Sequence, residues 1–172
     1  ASRDIASNLV GGVFIVTDPE FNVGDWIRWQ DKEGVIEDVS FRVTRIRTFD
    51  NELLTVPNSN LTDGVVKNPV ANDELRLQVT FGIGYGDDID KAKAVCKRLI
   101  EEDERALEDP EPLIVVGALG ESSVDLTVRA WTKSADLWPF YWDMHEKVKK
   151  AFDAEGISIP FPQRDVHMIK TD

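Results

Sequence analysis

A chain of 172 residues, 42% of them apolar, can bury one large core or two small ones, and it is too apolar for intrinsic disorder. Its net charge of −12 disfavours nucleic acid or an anionic membrane surface as a partner. A single cysteine, Cys96, excludes an internal disulfide and any metal site built from several cysteines.

The chain starts with a short apolar segment, and residues 4–16 predict a helix. Two small residues in it, Gly11 and Gly12, would let another helix approach closely. The uninterrupted apolar run, residues 9–16, is too short to cross a bilayer, which takes about 20 residues. Because the chain begins without Met and without the features of a signal peptide, we expect a piece of a longer protein.

Residues 21–68 predict a small barrel of five short strands separated by turn signals, in the order "DWIRW", "EGVIEDV", "FRVTRIRTF", "ELLTV" and "GVVKN". The segment "FDNE" predicts a hairpin turn, since Asn51 tolerates a positive φ. After Asn68-Pro69, the stretch "VANDE" is typical of a linker.

The second half predicts an α+β sandwich of split βαβ type, with the order strand, helix, strand, strand, helix. The helices are predicted over residues 88–107 and 136–155, with Asp136 as the cap of the second. Cys96 falls on the apolar face of the first helix and is predicted to be a core residue. One further short strand is predicted over residues 165–170.

The glycine-rich stretch "FGIGYGDDID", residues 81–90, joins a predicted strand to a predicted helix, where nucleotide phosphates often bind. Its spacing matches neither the P-loop nor the dinucleotide motif. Asp87 and Asp88 would repel a phosphate from this helix N-terminus. We therefore interpret the stretch as the end of a strand followed by a helix with an aspartate cap.

No catalytic or metal-binding motif stands out. His145 and Glu146 lack the second histidine of a zinc protease motif, and the carboxylates are too numerous for any one pair to be informative. Arg42, Arg45 and Arg47 in one strand could form a nucleic-acid face, but at this net charge pairing with the chain's own acids is favoured.

Six segments in register carry a resemblance to a known family. They are "SNLVGGVFIV", "FNVGDWI", "VPNSNL", "SSVDLTVRAW", "YWDMHEKVKKAFDAEGISIPFPQ" and "DVHM". Together they resemble the small-conductance mechanosensitive channel family over nearly the whole chain, and "VPNSNL" and "FDAEGISIPFPQ" are the most specific.

The resemblance implies four parts: residues 1–17 as the end of the pore-lining helix, 18–68 as a middle Sm-like β domain, 69–163 as an α/β domain, and 164–172 as a strand of an oligomeric C-terminal barrel. It also implies seven copies forming a vestibule on the cytoplasmic side of the cell membrane, which the parent protein crosses several times. Tension would open the pore, and ions and small solutes would leave through side portals on osmotic downshock. No cofactor and no enzymatic chemistry are implied.

The same resemblance implies particular site residues. Asn8 on the pore helix would contact Ser59 in the β domain and so couple that domain to pore inactivation. Gly11 and Gly12 would serve helix packing. Asp73 and Glu74, where the two domains meet, are candidate portal-lining residues, and we expect the acidic vestibule to favour cations.

Two other function classes stay open at the level of sequence. A free-standing Sm-like oligomer that binds RNA would use the barrel and its arginines, and an enzyme would use the acidic residues, although no motif supports it. Apolar segments of about 20 residues encoded upstream of Ala1 would favour the channel, whereas a start codon near Ala1 would exclude it.

Overall fold

The computed structural model describes residues 2–17 and 21–168, and the chain divides into two compact units, Ala1–Asp73 and Glu74–Asp172. The elements of the first unit are α1 (Ser2–Thr17), β1 (Trp26–Trp29), β2 (Lys32–Val39), β3 (Val43–Arg47), β4 (Leu53–Pro57), α2 (Asn58–Thr62) and β5 (Val66–Lys67). Those of the second are β6 (Glu74–Ile83), α3 (Ile89–Glu101), β7 (Leu113–Leu119), β8 (Val124–Lys133), a 3₁₀ turn (Ser134–Asp136) and α4 (Leu137–Glu155).

The first unit is built on one antiparallel sheet in the order β4-β3-β2-β1-β5. Alternate residues of its strands point inward and form an apolar core with Leu61 of α2; the strand residues are Ile27, Trp29, Ile36, Ile46 and Val56. Asn51 adopts φ 64° in the turn between β3 and β4, which confirms the predicted hairpin.

The five predicted strands are present, but their hydrogen bonds do not close a barrel. β4 and β5 are the two edges of the sheet, and α2 lies between them in sequence. β5 has only two residues, both paired with β1, so it offers no length to pair with β4. The side chain of Leu61 on α2 instead covers the core.

The second unit is an α+β sandwich, as predicted. Its antiparallel sheet has the order β6-β8-β7, and α3 and α4 contribute apolar side chains to the core it shares with them. The inward residues of β8 alternate strictly, as predicted, and all are buried: Val124, Leu126, Val128 and Ala130. Gly156, at φ 69°, ends α4 in the left-handed conformation that glycine favours.

Three local predictions for this unit differ from the structure. The first helix ends at Glu101 rather than at residue 107, since Leu107 N–H donates to the Trp131 carbonyl oxygen at 2.8 Å, a partner that only the folded sheet supplies. Asp136 occupies the cap position of α4 without a capping bond from its side chain, because it closes a 3₁₀ turn there. Of the predicted terminal strand, residues 165–168 adopt neither helix nor strand, and residues 169–170 lie outside the described residues.

Within the part of the chain that the structure describes, one buried side-chain hydroxyl lacks a hydrogen-bond partner. Thr132 is fully buried, and its Oγ1 has no hydrogen-bond partner among the described residues. We expect Thr132→Val, which keeps the shape and removes the hydroxyl, to raise the free energy of unfolding by about 1 kcal/mol. Thr44→Val is the matched control, because Thr44 is equally buried but donates to Asn58, and it should lower stability. Thermal unfolding of both variants checks this, and a loss of stability in Thr132→Val would contradict it.

Candidate functional site

Asn58, the first residue of α2, is the polar centre of the first unit. Its side chain is fully buried, accepts a hydrogen bond from Thr44 Oγ1 at 2.9 Å and donates from Nδ2 to the Ser40 carbonyl oxygen at 3.0 Å. Its backbone N–H donates to the Arg42 carbonyl oxygen at 3.1 Å. Asn58 therefore fixes α2 to β3 and to the turn between β2 and β3, because a buried amide that lost these hydrogen-bond partners would destabilise the fold.

Helix α1 lies against this centre through its two glycines. A Cβ at Gly12 would lie 2.6 Å from Asn58 Nδ2 and 2.9 Å from the Phe41 carbonyl oxygen. A Cβ at Gly11 would lie 3.1 Å from Thr62 Oγ1 and 3.3 Å from Asn58 Cβ. Only a residue without a side chain allows the α1 backbone to approach α2 this closely.

The other surface of α1 is apolar and exposed. Val10 and Val13 lie on this surface and are each about half exposed; Ile5, seven residues before Gly12 and therefore on the glycine side, is exposed to the same extent. Large apolar side chains gathered on one helix surface are typical of a surface that another molecule or another copy covers.

Ser59 follows Asn58 in α2 and is half-buried. Its predicted partner, Asn8, belongs to α1, but the Asn8 side chain lies outside the described residues. The contact between Asn8 and Ser59 therefore stays a prediction. Sequence reasoning missed Asn58 itself and chose the serine that follows it in "VPNSNL".

Asp73 and Glu74 are both exposed, and Glu74 is the first residue of β6. In the sheet Glu74 stands opposite Lys133 of β8. Their assignment to a portal stays a prediction.

Of the three arginines predicted to share one strand, Arg42 precedes β3, and the two that β3 contains, Arg45 and Arg47, are paired with acids of the same sheet. Arg45 donates to Asp38 Oδ2 at 2.6 Å, and Arg47 pairs with Glu37 and donates to Asn51 Oδ1 at 2.6 Å. The hydrogen bond from Ser40, together with Arg45, holds the pKa of Asp38 below its usual value. This pairing reduces the positive charge on which an RNA-binding face would depend.

The side chains that could act as metal ligands or nucleophiles take part in packing and local hydrogen bonds. In residues 2–17 and 21–168, no group of three or more His, Cys, Asp or Glu side chains is arranged to hold a metal ion. His145 Nδ1 lies 2.8 Å from the Tyr141 carbonyl oxygen, one helical turn earlier. Cys96 is buried, which confirms its predicted place in the core, and this burial raises the pKa of its thiol to about 12.

Two family models match consecutive parts of the chain. Residues 4–71 match "Mechanosensitive ion channel, beta-domain", and residues 77–159 match "Mechanosensitive ion channel MscS, C-terminal". The two matches together take in most of the first unit and most of the second.

Curated relatives match along almost the whole chain. An MscS family protein of Synechocystis is 37% identical over 166 residues, which is 96% of this chain and 56% of the relative. The small-conductance mechanosensitive channel of Edwardsiella ictaluri is 34% identical over 94% of this chain and 57% of its own length. The chain thus spans somewhat more than half the length of these relatives.

Solved structures share the fold. Helicobacter pylori MscS in its closed state superposes with a TM-score of 0.91 at 28% identity, over 98% of this chain and 67% of its own. Arabidopsis thaliana MSL1 superposes with a TM-score of 0.76 over 94% of this chain and 60% of its own, at 19% identity, and so shows the fold alone. Among the helices in the described part of this chain, none combines the length and apolar character needed to cross a bilayer.

Proposed function

Because this chain belongs to the MscS family of mechanosensitive ion channels, we propose that it forms the cytoplasmic vestibule, with the end of the pore helix, of a channel that membrane tension opens. The observation that carries the proposal is the match to Helicobacter pylori MscS over 98% of this chain. Opening would release ions and small solutes on osmotic downshock, through a membrane part that the parent protein contributes.

The intact protein, reconstituted in liposomes and held in a patch pipette, tests this directly. Suction that stretches the membrane should open discrete currents, and liposomes prepared without protein should stay silent up to rupture. Absence of tension-dependent currents from protein shown to be inserted would overturn the proposal.

We further propose that seven copies assemble into a ring, the number that the family resemblance implies. The exposed apolar side chains of Ile5, Val10 and Val13 support association, since a monomer would leave them in water.

The contact between Asn8 and Ser59 is proposed as the link between pore helix and β domain. Asn8 precedes Gly11 and Gly12 by three and four residues in α1, and this spacing supports the proposal because residues so spaced share one face of a helix. Ser59 belongs to α2. A hydrogen bond between them would be worth about 1 kcal/mol net, or about fivefold in an equilibrium constant.

We expect Asn8→Ala to slow inactivation under sustained tension by about fivefold in the intact channel, because the link would be lost. Asn60→Ala, which removes the same group from an exposed position of α2, is the control and should inactivate normally. Current decay during pressure steps of several seconds measures both. Unchanged decay in Asn8→Ala would remove the proposed link.

Asp73 and Glu74 are proposed to line the portals and to raise the local cation concentration, because acids around a confined aqueous chamber focus the field. We expect a cation preference that falls when both residues are neutralised by Asp73→Asn and Glu74→Gln. The Debye length is about 8 Å at physiological salt and about 3 Å at 1 M, so the effect should shrink as salt rises.

Reversal potentials across a salt gradient measure this preference. Asp50→Asn with Glu52→Gln is the control, because it removes the same charge from exposed positions of a hairpin. An anion preference in the parent, or equal potentials for the two double variants at low salt, would contradict the assignment.

A further inference from the structure

The chain that follows α4 is held against the second unit as a strap, residues 157–163. Its first residue, Ile157, is buried in the core, and its N–H donates to the Phe152 carbonyl oxygen at 2.8 Å. Beyond Ile157 the strap is largely exposed, and the Phe161 side chain is 82% exposed. Apolar burial therefore fixes only the beginning of the strap, and polar contacts must direct the rest.

Asp87 supplies the principal polar contact. Its Oδ2 accepts hydrogen bonds from the N–H groups of Gly84 and Ser158, each at 2.9 Å. Gly84 N–H also approaches the Ser158 carbonyl oxygen at 3.1 Å. One carboxylate oxygen thus joins the loop after β6 to a strap residue 71 positions later in the chain.

Gly84 lies close to this carboxylate. A Cβ at Gly84 would lie 3.0 Å from Asp87 Oδ2, so the carboxylate would have to shift by a few tenths of an ångström, whereas Ser158 Cβ, at 3.6 Å, would be in ordinary van der Waals contact. In the glycine-rich stretch that resembles a phosphate loop, Gly84 and Asp87 thus hold the strap by hydrogen bonds. Its neighbour Asp88 caps α3 by accepting from Asp90 and Lys91 N–H, as predicted.

A second fastening lies at the turn between β7 and β8. Gln163 N–H donates to Ser122 Oγ at 3.0 Å, at the far end of the strap. Tyr85 Oη donates to the Gly120 carbonyl oxygen at 2.5 Å and so ties this turn to the loop that carries Asp87. The loop, the turn and the strap form one hydrogen-bonded network.

We propose that Asp87 is a positioning residue that, with Ser122, fixes the direction in which the chain leaves the second unit after Gln163. The reason is geometric. The hydrogen bonds at Ser158 and Gln163 hold the two ends of the exposed strap, and among the described residues beyond it, 164–168, none forms a hydrogen bond or ion pair. One consequence rests on the proposed function: if the copies form a ring, each copy would direct its terminal segment to the equivalent position in that ring.

Hydrogen exchange resolved to single amides in the intact protein tests the fastening. We expect Asp87→Ala to speed exchange of the Ser158 amide by about tenfold, since a hydrogen bond to a charged acceptor is lost. Asp87→Asn keeps one acceptor oxygen and should give a smaller increase. Asp88→Ala is the matched control, which should expose the Asp90 and Lys91 amides and leave Ser158 protected.

A distance measurement tests the positioning. Spin labels at Ala94 on α3 and at Val166 beyond the strap, both exposed positions, report an intrachain distance when labelled protein is diluted with unlabelled protein. We expect one narrow distance distribution in the parent and a broad one in Asp87→Ala, with Ser122→Ala also broadening it.

Unchanged protection of Ser158 in Asp87→Ala, or an unchanged distance distribution, would overturn the proposal. If Asp87→Ala failed to fold, the central β8 amides would also lose protection from exchange. The test would then be made with Ser122→Ala, by the exchange rate of the Gln163 amide and by the distance distribution. Because both readouts lie within one chain, they stand whether or not rings form. Native mass spectrometry that found no ring in the parent would instead count against the proposed assembly.

Discussion

Replacing Asp103 with asparagine is expected to lower the free energy of unfolding of the second unit by about 2–4 kcal/mol. The Asp103 side chain is only 5% exposed and binds two cations. Arg105 donates to it from Nε at 2.8 Å and from Nη2 at 2.7 Å, and Lys147 of α4 donates from Nζ at 2.8 Å. Asparagine would leave these charged donors facing a neutral group that has only one acceptor oxygen.

The control for this variant is Asp143→Asn. Asp143 accepts from the same Arg105 Nη2 at 2.8 Å, but its side chain is 53% exposed. Solvent screens an exposed pair, so this change should cost less than about 1 kcal/mol. Urea unfolding of both variants makes the comparison, and equal losses would mean that burial of Asp103 is not what gives the network its strength.

The contribution of Asp103 should also depend on pH. The hydrogen bonds from Arg105, with those from Lys147, hold the pKa of Asp103 well below its usual range. A carboxyl group whose pKa is depressed on folding stabilises the fold above the pKa of the unfolded chain, about 3.9 for aspartate. The advantage over Asp103→Asn is therefore complete at neutral pH, begins to fall as the pH drops towards about 4, and is lost only as the pH falls through the depressed pKa of the folded state.

The second large effect is expected in the first unit, where Asn58→Leu should lower stability by about 2–4 kcal/mol. Leucine has the same branching as asparagine but is larger, and it offers no polar atom to the Thr44 hydroxyl or the Ser40 carbonyl oxygen, each of which would lose a buried partner. Because Gly12 lies against Asn58, the same change should also loosen the hold of α1 on the unit.

A double-mutant cycle with Thr44→Val separates the lost bond from altered packing. If the Thr44 hydroxyl is costly because it is left unpaired, the double variant should recover part of the stability lost by Asn58→Leu alone. Strict additivity of the two changes would show that packing, and not the hydrogen bond, accounts for the loss. Hydrogen exchange of the β1 and β3 amides in guanidinium measures the stability of this unit separately; tryptophan fluorescence would not, because Trp131, Trp138 and Trp142 belong to the second unit.

Sequence alone predicted those features whose cause is local. The positive φ of Asn51, the Asp88 cap and the glycine after α4 all depend on residues within a few positions of each other. The alternation along β8 likewise predicted which of its side chains are buried.

What sequence could not predict depends on partners far along the chain. The early end of α3 depends on Trp131, and the use of Gly84 depends on Ser158. Asn58 had no local signal, because an asparagine after proline usually marks an exposed turn, and only the arrival of α1 and β3 buries it. The sheet stays open between β4 and β5, and β5 is only two residues long. The apolar residues of "GVVKN" did not reveal how short this strand is.

The buried position of Cys96 makes the chain convenient for site-specific labelling. With a thiol pKa of about 12, less than about one part in ten thousand is thiolate at neutral pH, and the thiolate is the form that maleimides and methanethiosulfonates attack. Since the chain has no other cysteine, a cysteine introduced at an exposed position would be the single reactive thiol on the native background. Fluorophores and spin probes could therefore be attached without first replacing Cys96. Its replacement by a smaller residue would create a cavity in the core between α3 and the sheet.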